Sequence, residues 1–217
     1  MSRILFFLLF AERIAQAQWF AGGTAGIATL TGDGRTIIDS TRTQIALYKP
    51  SNGPAFQVFA GRHLYDYLSI QAAYGWNRNP LTFTGTSLTG TQEDTFEQDR
   101  RSTQNSFGFD GMIYGRPRSS KWRPYVAGGA GLIHLNSRAQ TLLISKGRPI
   151  LPPDTFSATK PYWRTAVGID FQLRPKWHFR YTFWETVSSN PLSAQLRPPG
   201  KALFLNFLNN FGFVREF

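Results

Sequence analysis

Hydrophobic and polar positions alternate along much of this chain with a period of two. The clearest segment is Leu68 to Asn79. Leu68, Ile70, Ala72, Tyr74 and Trp76 fall on one face, and Ser69, Gln71, Ala73, Gly75, Asn77 and Asn79 fall on the other. Side chains alternate across a strand, so this spacing predicts a strand with one apolar and one small-polar face; helical spacing would mix the two sets. The pattern recurs. Trp163, Thr165, Val167, Ile169, Phe171 and Leu173 oppose Arg164, Ala166, Gly168, Asp170 and Gln172. Trp177, Phe179, Tyr181 and Phe183 oppose His178, Arg180 and Thr182, and Phe107, Phe109 and Ile113 oppose Gly108, Asp110 and Met112. Phe56, Val58 and Ala60 oppose Gln57, Phe59, Gly61 and His63. With the less regular segments Trp19 to Leu30, Pro124 to Leu135 and Leu203 to Phe217, these make about eight strands of the length a tilted membrane strand requires.

Alternation does not say whether the apolar face meets a second sheet or lipid. Connection lengths favour lipid. Short links run through Tyr65-Asp66-Tyr67, from Pro117 to Trp122, and through Arg174-Pro175-Lys176. Between them the segments Thr31–Gly53, Gly85–Gln104, Asn136–Lys160 and Ser188–Ala202 are expected as long polar loops. Strict alternation puts every short turn at one end of a meander and every long loop at the other, as in outer-membrane barrels. The expected fold is all-β: an eight-stranded antiparallel up-and-down transmembrane β-barrel with short periplasmic turns and long extracellular loops. Tyr65, Tyr67, Trp122 and Trp177 lie near the short turns, and Trp76 and Trp163 near the other strand ends. They are the expected aromatic girdle residues.

The first residues change the picture of where the chain goes. Arg3 precedes an apolar run from Ile4 to Ala11, and Ala15-Gln16-Ala17 reads as a cleavage signal. The run has the length of a secretory core and is too short to span a bilayer. Residues 1–17 are therefore expected to be a cleaved signal peptide and 18–217 the barrel domain. After Ala17 no apolar stretch approaches the roughly 20 residues of a membrane helix. Entry into a membrane would require a closed barrel, because lipid offers no partners to open strand edges.

Composition agrees. Charged residues make up 17% of the 217 residues and aromatics 15%, against about 25% charged in an ordinary soluble domain. A soluble, aromatic-rich sandwich is the competing reading. Cys is absent, which excludes disulfides, thiolate metal sites and a cysteine nucleophile. The formal charge of +11 is dispersed. Its densest group, Arg116, Arg118, Lys121 and Arg123, sits at an expected turn, and no nucleic-acid-binding motif accompanies it.

The segment Arg123-Pro124-Tyr125-Val126-Ala127-Gly128-Gly129-Ala130-Gly131 and the ending Asn210 to Phe217 carry a resemblance. With the leader and the meander, the chain resembles the small outer-membrane β-barrel superfamily of OmpA-, OmpX- and OmpW-like porin-family proteins, over nearly all of the mature chain. The resemblance implies that the last strand carries an assembly signal read by the barrel-assembly machinery. Phe211, Phe213 and Phe217 match its spacing. Arg215 departs from the apolar or aromatic residue usual two before the end.

Inward-facing Asp110, Arg164, Asp170, His178, Arg180 and Glu216 are expected to form a lumen polar network. An eight-stranded barrel is just wide enough for side chains to fill, and charges inside it need partners. A ligand-binding core is the alternative. His63, His134 and His178 lie on separate strands, so no metal site and no cofactor are expected. A lipid-modifying Ser hydrolase would need Ser, His and an acid in hydrogen-bonding order; the His-x-Ser pattern of that kind is absent. Glu93, Asp94, Glu97, Asp99, Arg100 and Arg101 mix charge signs and are expected on a solvated loop. Arg138, Lys146, Arg148 and Lys160 are expected within reach of anionic lipid phosphates. The expected protein is not an enzyme. It is a non-enzymatic outer-membrane barrel, with an envelope-structural or surface-interaction role through its extracellular loops. A narrow porin-like channel for small solutes is the alternative, and a lipid-modifying enzyme is further away. Expected partners are outer-membrane lipid, lipopolysaccharide and the barrel-assembly machinery, with no nucleic acid, for a monomer.

Overall fold

A computed structural model of the chain describes residues 18–217. The expected leader, residues 1–17, lies outside the described residues. Ten strands follow: β1 (Trp19–Leu30), β2 (Asp33–Ile38), β3 (Arg42–Pro50), β4 (Gly53–Tyr65), β5 (Leu68–Thr89), β6 (Gln92–Tyr114), β7 (Trp122–Lys146), β8 (Thr155–Arg174), β9 (Trp177–Ser189) and β10 (Leu203–Glu216). All pairings are antiparallel, and eight strands close a ring in the order β1-β4-β5-β6-β7-β8-β9-β10.

The two extra strands are continuations. β4 pairs with the lower part of β5, and β3 pairs with its upper part, from Pro50↔Leu81 to Arg42↔Thr89. β3 and β4 are thus two halves of one run, as are β1 and β2. The run breaks at 51–52, between Pro50 and Pro54, where two residues lack the N–H a ladder needs. A Cβ on Gly53 would lie 1.8 Å from the Arg78 carbonyl oxygen, so only glycine allows the wall to close there. Fully buried Asn79 seals the break: its Nδ2 donates to the carbonyls of Ala28 and Ser51, both at 3.0 Å.

This corrects the expected loops. Gly85–Gln104 is almost wholly strand, because β5 and β6 are joined only by Gly90 and Thr91, with Gly90 at φ +58. Thr31–Gly53 is mainly the β2–β3 hairpin, turned at Asp39, whose Oδ1 accepts from the backbone N–H groups of Thr41 and Arg42. Within Asn136–Lys160 only 147–154 is irregular, and the last long connection is 190–202. These extensions face water, so they lack the apolar stripe that marks a strand in the sequence. Thr82, Thr84 and Thr86 instead supply β-branched residues to a polar sheet.

Three short turns gather at the opposite end, with Gln18, where the described residues begin, and Phe217. Phe217 N–H donates to the Trp19 carbonyl at 2.9 Å, and Glu216 N–H to Lys176 at 2.8 Å. On β5 to β8 the outward positions from this end upward are apolar or small as far as the cross-strand row Tyr74–Phe107–Leu132–Pro161, whereas Arg62, Glu185, Asn209 and Arg215 interrupt the outward face on β4, β9 and β10. The next outward row is Trp76–Asn105–His134–Thr159, and the one above it is Arg78–Thr103–Asn136–Ser157. Trp163, 73% exposed, and Phe109, 64% exposed, typify the apolar belt. Large apolar side chains exposed in this way need lipid or another apolar surface.

Candidate functional site

The inward faces of the ring fill its lumen in layers. In the lower half, Arg164 on β8 grips Asp110 on β6 with two hydrogen bonds, Nε to Oδ1 at 2.7 Å and Nη2 to Oδ2 at 2.6 Å. Arg180 on β9 grips Asp170 on β8 in the same way, both bonds at 2.7 Å. Gln71 on β5 joins the pairs: its Nε2 donates to Asp110 at 2.9 Å and its Oε1 accepts from Arg180 Nη1 at 3.2 Å. Tyr114 OH donates to Asp170 Oδ2 and accepts from Arg180 Nη2. The guanidinium groups also lie over aromatic rings, Arg164 over Trp184 at 4.2 Å and Arg180 over Phe59 at 4.7 Å. Every charge in this layer is paired and hydrogen-bonded, the condition under which buried ions are tolerated. The layer crosses the lumen from β5 and β6 to β8 and β9.

His178 and Glu216 lie in a separate layer near the short turns. Glu216 Oε1 stands 3.1 Å from His63 Nε2 and 3.5 Å from His178 Nε2, and its Oε2 is 3.8 Å from Arg118. His63 Nδ1 is 2.6 Å from Ser69 Oγ. Ser69, His63 and Glu216 thus stand in line, an arrangement their spacing in the chain did not suggest. It is not a hydrolase site. The serine meets Nδ1 rather than Nε2, the acid meets Nε2, and Ser69 has no exposure through which a substrate could reach it. Arg123, placed with the turn charges by sequence, points inward. It stacks on Tyr114 at 3.8 Å and donates to the Asp66 carbonyl at 2.9 Å.

The upper lumen is closed by the connection 190–202. Leu192 and Leu196 are buried in a cluster with Leu30, Tyr48, Phe83 and Phe204. Asn190 Oδ1 accepts from the N–H groups of Leu192 and Ser193, and its Nδ2 donates to Tyr48 OH at 2.9 Å. Asp33, at the start of β2, accepts from Ser193 Oγ and from Lys201 N–H. Burial pushes the Tyr48 phenol up to about 12, against the Asn190 hydrogen bond. Arg100, expected on the surface, is buried instead. It lies between Phe83 and Phe156, donates to Ser137 Oγ at 3.0 Å and to the Asp154 carbonyl at 3.1 Å, and desolvation lowers it to about 10.

A closed antiparallel ring with an apolar outer belt and a charged, side-chain-filled interior is the geometry of a small membrane barrel. The family model described as the outer membrane protein beta-barrel domain matches residues 4–194. The chain belongs to this outer-membrane β-barrel family. Neisserial surface protein A superposes with a TM-score of 0.51 at 11% identity, covering 93% of this chain and 99% of that one. OprG from Pseudomonas aeruginosa gives 0.49 at 13% identity, covering 93% and 96%. No curated protein matches the sequence.

On this outer-membrane barrel, Tyr65, Tyr67, Trp122 and Trp177 are exposed at the short-turn end, and Trp163 is exposed near the top of the belt. Trp76 leans on Phe56, ring centres 5.4 Å apart. Phe211 and Phe213 point outward from β10, and Phe217, just past its end, is exposed as well. The departing Arg215 also points outward, between the rings of Trp177 at 5.6 Å and Phe217 at 5.2 Å, so its stem continues the aromatic surface while its charge reaches the interface. Among the described residues no group of three or more His, Cys, Asp or Glu is placed to hold a metal ion.

Proposed function

We propose that the protein is a non-enzymatic outer-membrane barrel that acts through the outward surface of its extracellular sheet, as a monomer, and does not conduct solutes. The observation that carries this reading is a lumen filled at three levels. Glu216 with His63 and His178 closes the lower end. The Arg164–Asp110 and Arg180–Asp170 pairs cross the middle, and Leu192 and Leu196 plug the top. A narrow porin would need a continuous polar path through all three. In the same reading residues 1–17 are removed on export, Phe211, Phe213 and Phe217 serve the barrel-assembly machinery, and the aromatic positions anchor both lipid interfaces. Lipopolysaccharide forms the surrounding outer leaflet.

Conductance in planar bilayers tests the proposal. The refolded protein is expected to give no steady current steps. Reproducible steps of uniform size would establish the channel instead. N-terminal sequencing of protein recovered from outer membranes is expected to begin at Gln18.

A further inference from the structure

Above the apolar belt, beyond the polar row Trp76–Asn105–His134, three adjacent strands present arginines on the outer wall. Arg78 projects from β5, Arg101 from β6 and Arg138 from β7. Arg101 and Arg138 are direct cross-strand partners, and Pro80, two residues from Arg78, is the partner of Arg101. Like charges facing one another across a ladder are destabilising unless an anion lies between them. None of the three side chains has an ion pair or hydrogen bond among the described residues. Asp99, the next residue up the same face of β6, commits its carboxylate to Thr82 at 2.7 Å and Thr141 at 2.9 Å. Between the arginines lie polar side chains, and Arg101, Thr103, Asn105, His134, Asn136 and Arg138 line one continuous outer groove. A second groove, beside it, is lined by Arg78 and Arg101.

We infer that this wall binds the phosphate groups of an outer-leaflet glycolipid. The inference deepens the proposed function and rests on the chain spanning the outer membrane. The guanidinium fork matches phosphate oxygens two at a time, and two or three such forks suit a doubly charged phosphate. The groove also specifies an amphiphile. Directly beneath it the outward side chains are Phe107, Leu132, Phe109 and Ala130, a surface for acyl chains. A phosphate held by Arg101 and Arg138 places its lipid's sugar headgroup along Thr103, Asn105, His134 and Asn136, and its tails on the apolar wall below them. Of the charges expected from sequence to approach lipid, Arg138 belongs to this wall, whereas Lys146 pairs with Glu93 at 2.8 Å near the hairpin tips, far up the sheet from the belt.

The test uses the full barrel in nanodiscs, titrated with bisphosphorylated lipid A and read by native mass spectrometry. Wild type and a tip control, K146Q/R148Q, are expected to bind alike. R101Q/R138Q is expected to bind at least tenfold more weakly, and lipid A stripped of phosphate is expected to lose the same factor on wild type. Equal binding by R101Q/R138Q, or equal binding of the stripped lipid, would overturn the site. Displacement of lipid A by an equal concentration of inorganic phosphate would also overturn it, by showing a free-anion site. Heat-dependent gel mobility of each sample is measured alongside. Failure of wild type to shift would overturn the membrane-barrel reading itself, whereas a shift with no phosphate dependence overturns only the lipid site.

Discussion

Arg180 and Asp170 are direct partners across the β8–β9 hairpin, and the guanidinium meets both carboxylate oxygens at 2.7 Å. Both side chains are almost without exposure. Removing one partner leaves a buried charge alone, which costs about 3–5 kcal/mol. Arg180→Ala and Asp170→Ala should each lower unfolding stability in lipid by that order, and the double variant by clearly less than their sum. Urea titration followed by tryptophan fluorescence reads the cycle. Additive effects would contradict the pairing. Because Gln71 bridges to Asp110, Arg164→Ala and Arg180→Ala should also be non-additive.

One carboxylate ties the plug to β2. Asp33 accepts from both Ser193 Oγ and Lys201 N–H. Losing one net hydrogen bond to a charged group costs about 1.5–3 kcal/mol, enough to raise local opening roughly tenfold or more. Trypsin should therefore cut after Lys201 at least tenfold faster in Asp33→Ala, with overall unfolding little changed. An unchanged cutting rate would mean that the plug is held by Leu192, Leu196 and the Asn190 hydrogen bonds without Asp33.

Two exposed carboxylates on the strand extensions above the apolar belt should titrate low. Hydrogen bonding to Lys146 and its charge lower Glu93, and hydrogen bonds from Thr82 and Thr141 lower Asp99. Folded values below the unfolded ones mean that their contribution is complete above the ordinary carboxylate range. It is lost as pH falls through the folded values. Carbon-13 NMR of the side-chain carboxyls should give midpoints below those of a peptide spanning 92–100. Midpoints at or above the peptide's would remove both contacts.

Glycine positions differ sharply in what they tolerate. A Cβ on Gly168 would fall 2.4 Å from the Tyr125 ring and 2.6 Å from the Tyr181 carbonyl. On Gly111, which faces outward, it would meet only the Gly128 carbonyl at 4.0 Å. Gly168→Ala should cost about 1–3 kcal/mol through overpacking, and Gly111→Ala within about 0.5. Equal thermal stability of the two variants would show that Tyr125 moves aside freely.

The belt strands were legible because lipid and lumen demand opposite chemistry on alternate residues, as Ile70 and Gln71 illustrate. The same demand put Asp110, Arg164, Asp170 and Arg180 on the inner face. Their pairing was only partly readable. Asp170 and Arg180 follow from a tight turn at Pro175-Lys176. Asp110 and Arg164 are 54 residues apart, and Gln71 and Arg180 are 109 apart; those contacts depend on ring closure. The strand extensions above the belt are not legible in the sequence because their outer face is polar, so Thr82 and Arg101 look like loop residues. Arg100 has the same polarity as its neighbour Arg101, yet a one-residue step turns it inward. The plug's Leu192 and Leu196 are the one large-apolar signal in an otherwise Pro-rich connection.

Heat-modifiability on a gel, after refolding in detergent micelles, tests the membrane barrel most directly. The account predicts a compact, SDS-resistant band that slows or quickens only after boiling, when the closed ring opens. A protein that stays soluble without detergent and runs identically before and after boiling would contradict it.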